Sequence, residues 1–373
     1  MTIREQLGIY FTLVEDWRNQ SYITYKLQDI LFILVCGNLC GQRDTEEIWD
    51  YAEENWEYLK RHLECTKMPC LSTFSNIIGN LNPERLELCL QGIFRNVNPA
   101  MLEENSQISI DGKTICGANS VHIVTALSNE EMMSLGQITV DEKTNEIPAV
   151  RELLDLIDIR KRVVSMDALH CQTETIDKIM DKKGNYVVQV KKNQKNLFED
   201  IEGLFKLGST MIDKTLEKSH GRIEKRICRV LPIVPDEYFK KWRGLKTIFA
   251  VERKVFEKGG EREETSYYLS SLESHDKLLH YAREHWKIES FHWILDTICG
   301  EDGSYMRDKN AQVCMNIIRK FAISMMKKYV EQTKPKKTAI SANMRRCAFN
   351  PHNLEKVLAF FDLRKLLQHC YFY

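Results

Sequence analysis

The sequence lacks the cysteine spacing that marks a metal-binding or disulfide-stapled protein. Its 12 cysteines include no Cys-x-x-Cys pair. The nearest approach, Cys36 and Cys40, falls in an apolar run where thiols act as small hydrophobic side chains. The spacing therefore gives no sign of a zinc finger, and a reducing cytoplasm, with most thiols free, is the compartment that we expect.

Long apolar runs and an excess of one charge are also missing. The longest apolar run, Ile30–Cys36, is far too short to span a bilayer, and the chain opens on mixed charge rather than on a signal peptide. The 53 basic residues balance 53 acidic ones. We therefore expect a cytoplasmic protein with no membrane partner, in which any nucleic-acid contact depends on local basic patches.

What is present is a globular composition, with 43% hydrophobic and 28% charged residues. Up to about residue 104 the apolar spacing is helical. Asp44 or Thr45 is a plausible N-cap of one helix, and Pro83 suits the first turn of another. We predict a helical N-terminal domain over residues 1–104. It could be a helix-turn-helix-like module or a bundle that only packs on the next domain, and the sequence leaves both open.

From about residue 105 strands alternate with helices. The predicted strands are 107–111, 121–127, 133–140, 162–167 and 186–190, and the predicted helices are 147–157, 173–183 and 196–207. This order predicts an α/β fold, a mixed sheet with flanking helices. The remaining predicted units are a core segment over 105–207, a β-rich insertion over 208–271, the last part of the core over 272–335 and a basic C-terminal tail over 336–373.

Two acids are the last residues of predicted strands, Asp111 of the first strand and Asp167 of the fourth. If these strands are neighbours, their carboxyl ends bring the two carboxylates together, where open α/β sheets build their sites. Glu289, on a later helix, can reach the same edge. Three converging carboxylates would repel one another unless they bound a hard cation, and oxygen ligands favour Mg²⁺ or Mn²⁺. The sequence therefore predicts a metal-binding carboxylate triad.

Each of these acids also has an ordinary explanation. Asp111 and the glycine after it form a common hairpin-turn signal. Asp167 could simply cap the helix that follows it. Glu289 could belong to a solvated helix face, paired with Lys287 or Arg283. The residues alone leave these alternatives open.

The predicted helix around Glu289 carries a row of ionisable side chains. His285, Glu289, His292 and Asp296 follow one another at steps of four, three and four, which places them on one helix face. The apolar residues expected to anchor the same helix are Trp286, Ile288, Trp293 and Leu295.

Several short motifs occur in order along the chain: Leu27–Leu31, Glu46–Ile48, Ser72–Phe74, Ile110–Thr114, Asp141–Ile147, Met166–Ala168, Val190–Gln194, His220–Glu224 and His285–Asp296. Through them the chain resembles the DDE transposases of bacterial insertion sequences, specifically the group that includes the H-repeat-associated proteins. The resemblance covers nearly the whole chain, and so many ordered matches are specific where any one alone would be weak.

The resemblance implies an RNase H-like core with a β-rich insertion before the last catalytic acid. It implies that Asp111, Asp167 and Glu289 are the catalytic, Mg²⁺- or Mn²⁺-binding triad. The implied activity is metal-dependent DNA strand cleavage and strand transfer at insertion-sequence ends. The implied partners are double-stranded DNA, as terminal repeats and target, and a second copy of the chain on paired ends. The N-terminal helices are the candidates for recognition of those ends.

The sequence departs from the family pattern at three positions. Related transposases carry Tyr, Arg, Glu and Lys around the last acid, whereas here His285 replaces the Arg and Asp296 replaces the Lys. Cys116 stands where relatives usually have Arg. These changes leave open how the DNA backbone is held near the scissile phosphate.

Polar and basic residues near the triad are candidates for DNA contacts, because phosphate contacts position a protein on DNA. Their alternative explanation is ordinary solvated surface. The candidates are Lys113, Lys191, Lys192, Asn193, Gln194, His220, Arg222, Arg226, His285 and His292.

Two further functions compete with transposition. One is a degenerate remnant that binds DNA without cutting it, suggested by Cys116, His285 and Asp296. The other is a helical di-metal carboxylate protein, because Glu289–His292 and Glu217–His220 both match Glu-x-x-His. The second needs four long helices, and the segment after His220 is predicted to be extended.

Overall fold

The structure is a computed structural model of the chain that describes residue 9 and residues 14–97, 103–140, 146–219, 221–231, 239–274, 276–333 and 339–360. The helices are α1 (Leu27–Leu39), α2 (Thr45–Glu54), α3 (Trp56–Leu59), α4 (Leu71–Asn80), α5 (Pro83–Val97), α6 (Glu146–Leu156), α7 (Thr173–Asp181), α8 (Lys195–Leu207), α9 (Leu278–Glu284), α10 (Trp286–Thr297), α11 (Lys309–Thr333), α12 (Ile340–Phe349) and α13 (Pro351–Phe360). The strands are β1 (Gln107–Ile115), β2 (Val121–Ser128), β3 (Met133–Val140), β4 (Val163–Met166), β5 (Asn185–Val190), β6 (Thr210–Ser219), β7 (Arg222–Val230), β8 (Thr247–Glu257) and β9 (Gly260–Ser270).

A mixed sheet of nine described strands organises the molecule, in the order β3-β2-β1-β4-β5-β9-β8-β7-β6. β1 runs parallel to β4, and β4 parallel to β5. The other pairs that the structure describes are antiparallel. β2 and β4 are buried along their whole length, which explains their nearly continuous apolar sequences. The mixed sheet with flanking helices predicted from the sequence is confirmed.

Asp111 lies within β1 rather than at its end, so the predicted strand boundary is wrong. β1 continues to Ile115 because it keeps pairing with β2, with Asp111 opposite Thr125. Gly112 does not form a hairpin turn here. A Cβ atom at Gly112 would lie 2.6 Å from the Glu146 carboxylate, so the glycine permits a close approach within the strand.

Four strands, β6 to β9, fall in the segment predicted to be a β-rich insertion, and they extend the sheet of β1 to β5. This segment joins through β9, which pairs with β5. Its first strand, β6, was not predicted as a strand because its polar and apolar residues do not alternate regularly. Glu217 lies within β6 and pairs with Glu224 of β7. The second Glu-x-x-His motif therefore does not begin on a helix, and the helical di-metal alternative is wrong.

The long helix α11 joins the N-terminal helices to the sheet. It packs against α1, α4 and α5 on one side and against β2 and β3 on the other. Residues of the N-terminal helices and the sheet share one hydrophobic cluster, which includes Phe32, Phe74, Phe94 and Phe321. The N-terminal helices thus pack against the rest of the chain through α11, and their role in recognising DNA ends stays a prediction. The predicted domain boundaries themselves stay predictions.

The segment expected to be a basic tail contains two helices, α12 and α13, that pack against α11. Their buried faces include Met344, Cys347, Leu354 and Val357. These buried side chains recur at helical spacing. The prediction of a basic tail considered only the basic residues of this segment and therefore missed its helices. Within the described part of the chain, no helix combines the length and the apolar character that crossing a bilayer requires.

Candidate active site

Asp111 and Asp167 leave neighbouring parallel strands at the same level. The last residue pair between β1 and β4 is Ile110 with Met166, so the next residue on each strand is the acid. Since strands lie about 4.8 Å apart, continued register places the two side chains next to each other on one face. The Asp167 carboxylate also accepts a hydrogen bond from Leu169 N at 2.8 Å, as a capping residue does. The predicted capping role and a place in the site are thus compatible.

Glu289 faces the same cleft from α10. The cleft has a volume of about 490 Å³, and its walls include Asp111, Asp167 and Glu289. Desolvation in the cleft, with the negative charges of Asp111 and Asp167, raises the pKa of Glu289, although the Lys191 ammonium opposes this effect. Burial first, and then the two neighbouring acids, disfavour the charged form of Glu289.

His292 lies beside Asp111. Its Nδ1 atom lies 3.5 Å from Asp111 Oδ2, and the histidine is buried. Burial alone would raise the pKa of Asp111, but hydrogen bonding and charge from His292, together with the charge of His285, outweigh it and lower that pKa. The two histidines therefore favour the charged form of the Asp111 carboxylate.

His285 interrupts the predicted helix between α9 and α10 and is tied to the sheet. Its Nδ1 atom lies 3.0 Å from Ser165 Oγ, which also accepts a hydrogen bond from Gln107 Nε2 at 2.8 Å. Gln107 Nε2 in turn donates to Tyr281 O at 2.8 Å. Desolvation lowers the pKa of His285, against the opposing charges of Asp111 and Asp167. His285 thus borders the cleft, and its ring is hydrogen-bonded to Ser165.

The three carboxylates suit a hard divalent cation by chemistry, because they offer oxygen ligands alone. Among the residues that the structure describes, however, no group of three or more His, Cys, Asp or Glu side chains is arranged to hold a metal ion. Asp111 is instead turned toward His292. The donor set therefore fits Mg²⁺ or Mn²⁺, and the metal-binding role of Asp111, Asp167 and Glu289 stays a prediction.

Basic side chains that follow β5 or belong to the insertion and α9 line the cleft. Lys191, Arg222 and Arg226, all predicted to contact DNA, line it together with Arg253 and Arg283. The latter two were not predicted because a lone arginine on a strand or helix gives no local signal. His220 lies outside the described residues.

The arginines of this wall share two acids. Glu224 pairs with Arg226, with Arg222 at 2.8 Å and with Arg253 at 3.0 Å. Glu217 pairs with Arg283 at 2.5 Å and with Arg226 at 3.4 Å. Four arginines facing two carboxylates leave this wall with net positive charge, which suits phosphate.

Three other residues predicted to contact DNA, Lys192, Asn193 and Gln194, follow β5. Two of them form hydrogen bonds within the protein. Asn193 Nδ2 donates to Ala168 O at 2.8 Å, and Gln194 Nε2 donates to Cys171 O. Both bonds hold the turn that follows Asp167. Lys192 is exposed. Asn193 is exposed as well, whereas Gln194 is half-buried, so Lys192 and Asn193 are both accessible from solvent.

Lys113 is directed away from the cleft into a buried ionic network. Its ammonium pairs with Asp296 of α10 and with Glu301, and its side chain is only 9% exposed. Glu301 also accepts hydrogen bonds from Asn316 Nδ2 at 2.9 Å and Arg319 Nη1 at 3.1 Å. Lys113 lies two residues after Asp111 on β1, and its partner Asp296 lies on α10. The network therefore links the strand that carries Asp111 to the helix that carries Glu289.

The charges in this network explain an unusual carboxyl pKa. Burial alone would raise the pKa of Glu301, but the cations Arg319 and Lys113 outweigh it and lower that pKa to about 2. Asp296 thus faces a lysine supplied by β1.

A buried histidine–glutamate–histidine cluster lies on the opposite face of the sheet. Glu146 accepts from His122 Nε2 at 3.0 Å and from His170 Nε2 at 3.1 Å. Thr114 Oγ1 lies 2.9 Å from the other ring nitrogen of His122. The cluster connects β2 to the turn after Asp167. No local sequence pattern predicts this cluster, because the three residues are distant along the chain.

Trp286 and Trp293 do not anchor α10, so that prediction is wrong. Their side chains are 59% and 60% exposed, whereas Ile288, Phe291 and Leu295 are buried. The helix packs on β1 and α11 through the apolar stripe without the tryptophans. Trp286 lines the cleft beside Glu289.

Comparison with known proteins gives consistent results. The Transposase DDE domain model matches residues 104–325, and the DDE_Tnp_1-associated model matches residues 9–93. The "Putative transposase YncI" of Escherichia coli O157:H7 is 33% identical over 96% of this chain and 95% of its own length. The "H repeat-associated putative transposase YhhI" of Escherichia coli strain K12 is 31% identical over 95% of this chain and 98% of its own.

Among solved structures, the piggyBac transposase synaptic complex with hairpin DNA matches with a TM-score of 0.45 and 12% identity. The match covers 98% of this chain and 78% of that chain, and it is too weak to support an argument. The family models and the full-length relatives are sufficient: the chain belongs to the DDE transposases of insertion sequences, together with the H-repeat-associated proteins.

Proposed function

We propose that this protein cuts and joins DNA at the ends of an insertion sequence, using a metal-binding site formed by Asp111, Asp167 and Glu289. The observation that carries the proposal is their convergence on one cleft from β1, from the end of β4 and from α10. The raised pKa of Glu289 agrees with it, because carboxylates gathered without enough counter-charge are suited to cations.

The proposal includes an RNase H-like core. Its support is the strand order β3-β2-β1-β4-β5, with the first three strands antiparallel and the next two parallel to β1. The insertion then extends the sheet and returns the chain to α10, which carries the last acid. The cleft lies where β4 ends beside β1.

The residues of the cleft have distinct tasks. Asp111 and Asp167 provide fixed carboxylates from the sheet, and Glu289 provides the third from a helix. Bound there, divalent ions would neutralise charge on the oxygens that attack and leave the phosphorus atom. His292 holds Asp111 in its ionised form, and His285 fixes the start of α10 through Ser165.

The substrate is double-stranded DNA, first at the element's terminal repeats and then at the target. Hydrolysis of one phosphodiester bond frees a 3′-hydroxyl group, which then attacks a target phosphodiester and displaces another 3′-hydroxyl. Lys191, Arg222 and Arg226, with Arg253 and Arg283, contact backbone phosphates. Two copies of the chain act on paired ends.

The experiment is nicking of a duplex that carries the terminal repeats flanking the gene, in Mg²⁺ or Mn²⁺. We expect the wild type to cut at the repeat boundary and Asp167→Ala to bind the same duplex without cutting it. Asp158→Ala removes an exposed aspartate outside the cleft and is the matched control, which should cut normally. Wild-type binding without cleavage in either metal would favour the degenerate remnant instead.

A further inference from the structure

Strand pairing stops one residue short of the two acids of the sheet. The last residue pair between the described strands β1 and β4 is Ile110 with Met166, so their ladder does not fix the distance from Asp111 to Asp167. Two carboxylates that share a divalent ion need a defined spacing, because Mg²⁺ demands nearly ideal octahedral geometry. A contact outside the ladder has to set that spacing.

Glu146, at the start of α6, touches both acid-bearing segments from the opposite face of the sheet. Side chains alternate along a strand, so position 112 faces away from Asp111, and a Cβ atom at Gly112 would lie 2.6 Å from the Glu146 carboxylate. Glu146 Oε1 accepts a hydrogen bond from His170 Nε2 at 3.1 Å, and His170 N donates to Asp167 O at 3.2 Å. The carboxylate therefore bridges the residue after Asp111 and the turn after Asp167.

This bridge is buried, and its carboxylate is held in the charged form. Glu146 is 4% exposed and His170 is fully buried. Burial alone would raise the pKa of Glu146, but hydrogen bonds and charge from His170 and His122 outweigh it and lower that pKa. Among the described residues the other ring nitrogen of His170, Nδ1, has no hydrogen-bond partner, so the bond to Glu146 orients the ring. Asn193 and Gln194 hold the same turn, but they tie it to the segment after β5 and do not set its distance from β1.

We propose that Glu146 and His170 are positioning residues, which set the separation of Asp111 and Asp167 from behind the sheet and thereby the affinity of the site for divalent ions. The inference rests on the proposed function and adds the residues that shape its metal site. Partners that orient metal ligands contribute about 10- to 100-fold to metal affinity in other proteins.

The test is Mn²⁺ binding by the DNA-free protein, followed by electron paramagnetic resonance of the unbound ion. His170→Leu keeps a buried side chain but loses the hydrogen bond, and we expect its Mn²⁺ affinity to fall about 10- to 100-fold. His170→Gln places an amide N–H near the position of Nε2 and should restore most of the affinity. The Mn²⁺ concentration for half-maximal nicking of terminal-repeat duplex should change in parallel, whereas DNA binding without divalent ions should not change.

His122→Leu is the matched control. His122 Nε2 bonds the other oxygen of the same carboxylate at 3.0 Å, but it lies on β2 rather than in the turn after Asp167. Each leucine variant leaves the buried Glu146 short of one hydrogen bond, so urea denaturation should show a comparable loss of stability in both. Mn²⁺ affinity should fall in His170→Leu alone, which distinguishes positioning of the acids from support of the fold.

Gly112→Ala tests the same bridge from β1. The added Cβ atom would overlap the Glu146 carboxylate, so this substitution should also weaken Mn²⁺ binding. Combined with Glu146→Ala, which makes room for the methyl group, it should add little further loss, because the two changes act through one contact.

Two results would overturn the inference. One is wild-type Mn²⁺ affinity in folded His170→Leu and Gly112→Ala, and the other is an equal loss of Mn²⁺ affinity in His170→Leu and His122→Leu. Failure of the proposed function is distinguishable from both. In that case Asp167→Ala would bind Mn²⁺ as tightly as the wild type, or the wild type would bind none, and the inference would be refuted with it.

Discussion

Two clusters of charged side chains lie along α10, and they differ in how their charge is balanced. At one end Asp296 and Glu301 share the buried ammonium of Lys113, and Glu301 has a lowered pKa of about 2. In the middle of the helix Glu289 faces an open cleft and has a raised pKa. The contrast is between Glu301 and Glu289: neighbouring cations outweigh burial at Glu301, whereas burial and like charge dominate at Glu289. Asp296 lies between these cases, because desolvation raises its pKa in spite of Lys113.

The largest expected effect is loss of cleavage in Glu289→Gln. The amide keeps the shape of the side chain but removes a negative charge that the proposed ions require, so nicking should fall by about a thousandfold or more. Nicking rates on terminal-repeat DNA measure this effect, and binding should be largely retained. Glu152→Gln, an exposed change on α6, is the control. Comparable nicking by the Glu289 variant would remove it from the triad.

The next largest effect is on stability, in the balanced cluster. Lys113→Met leaves Asp296 and Glu301 without their shared cation, and the free energy of unfolding should fall by about 3–5 kcal/mol. Urea denaturation measures it. Lys192→Met, at an exposed position, should change it by less than about 0.5 kcal/mol.

A charge exchange sharpens this prediction. In the double variant Lys113→Asp with Asp296→Lys, the ammonium moves to α10 and can again pair with two carboxylates. Stability should partly return. A double variant no more stable than Lys113→Met would show that the network depends on details of geometry beyond charge.

The pH dependence of stability comes third. Glu301 has an ordinary pKa of 4.5 and a folded pKa of about 2. A lowered folded pKa means that its stabilisation is complete above pH 4.5 and is lost as the pH falls toward 2, by at most about 3 kcal/mol. Unfolding free energies between pH 6 and pH 3 measure the loss. Glu301→Gln should lack this part of the dependence, and an identical slope in both proteins would contradict the assignment.

The smallest effect is expected at the cleft wall. Arg222→Ala and Arg226→Ala should each weaken DNA binding modestly and reduce the slope of log affinity against log salt by about 1. Arg160→Ala removes an exposed arginine paired with Asp158 and should leave the slope unchanged. If the slope is unchanged in both cleft variants, the arginines at 222 and 226 are already neutralised by Glu217 and Glu224.

The residues of β1 show how far a local pattern can mislead. Asp111 followed by glycine matches a hairpin turn, yet the strand continues and the glycine accommodates Glu146 from α6. Lys113 follows Asp111 by two residues and was predicted to contact DNA near it. The Lys113 side chain is instead buried against Asp296. Both outcomes depend on side chains more than 30 residues away. No local propensity reports such contacts.

By itself the sequence determined the order of strands and helices, the mixed sheet and the family, because apolar periodicity and ordered motifs are local and additive along the chain. Only the tertiary structure decided which charges are neutralised. In the folded protein Lys113 is buried in an ionic network, and four arginines of the insertion and α9 line the cleft. Both tryptophans of α10 are exposed. The reason is physical: the energy of a charge or an aromatic face depends on its neighbours in space, and those neighbours are brought together only by folding.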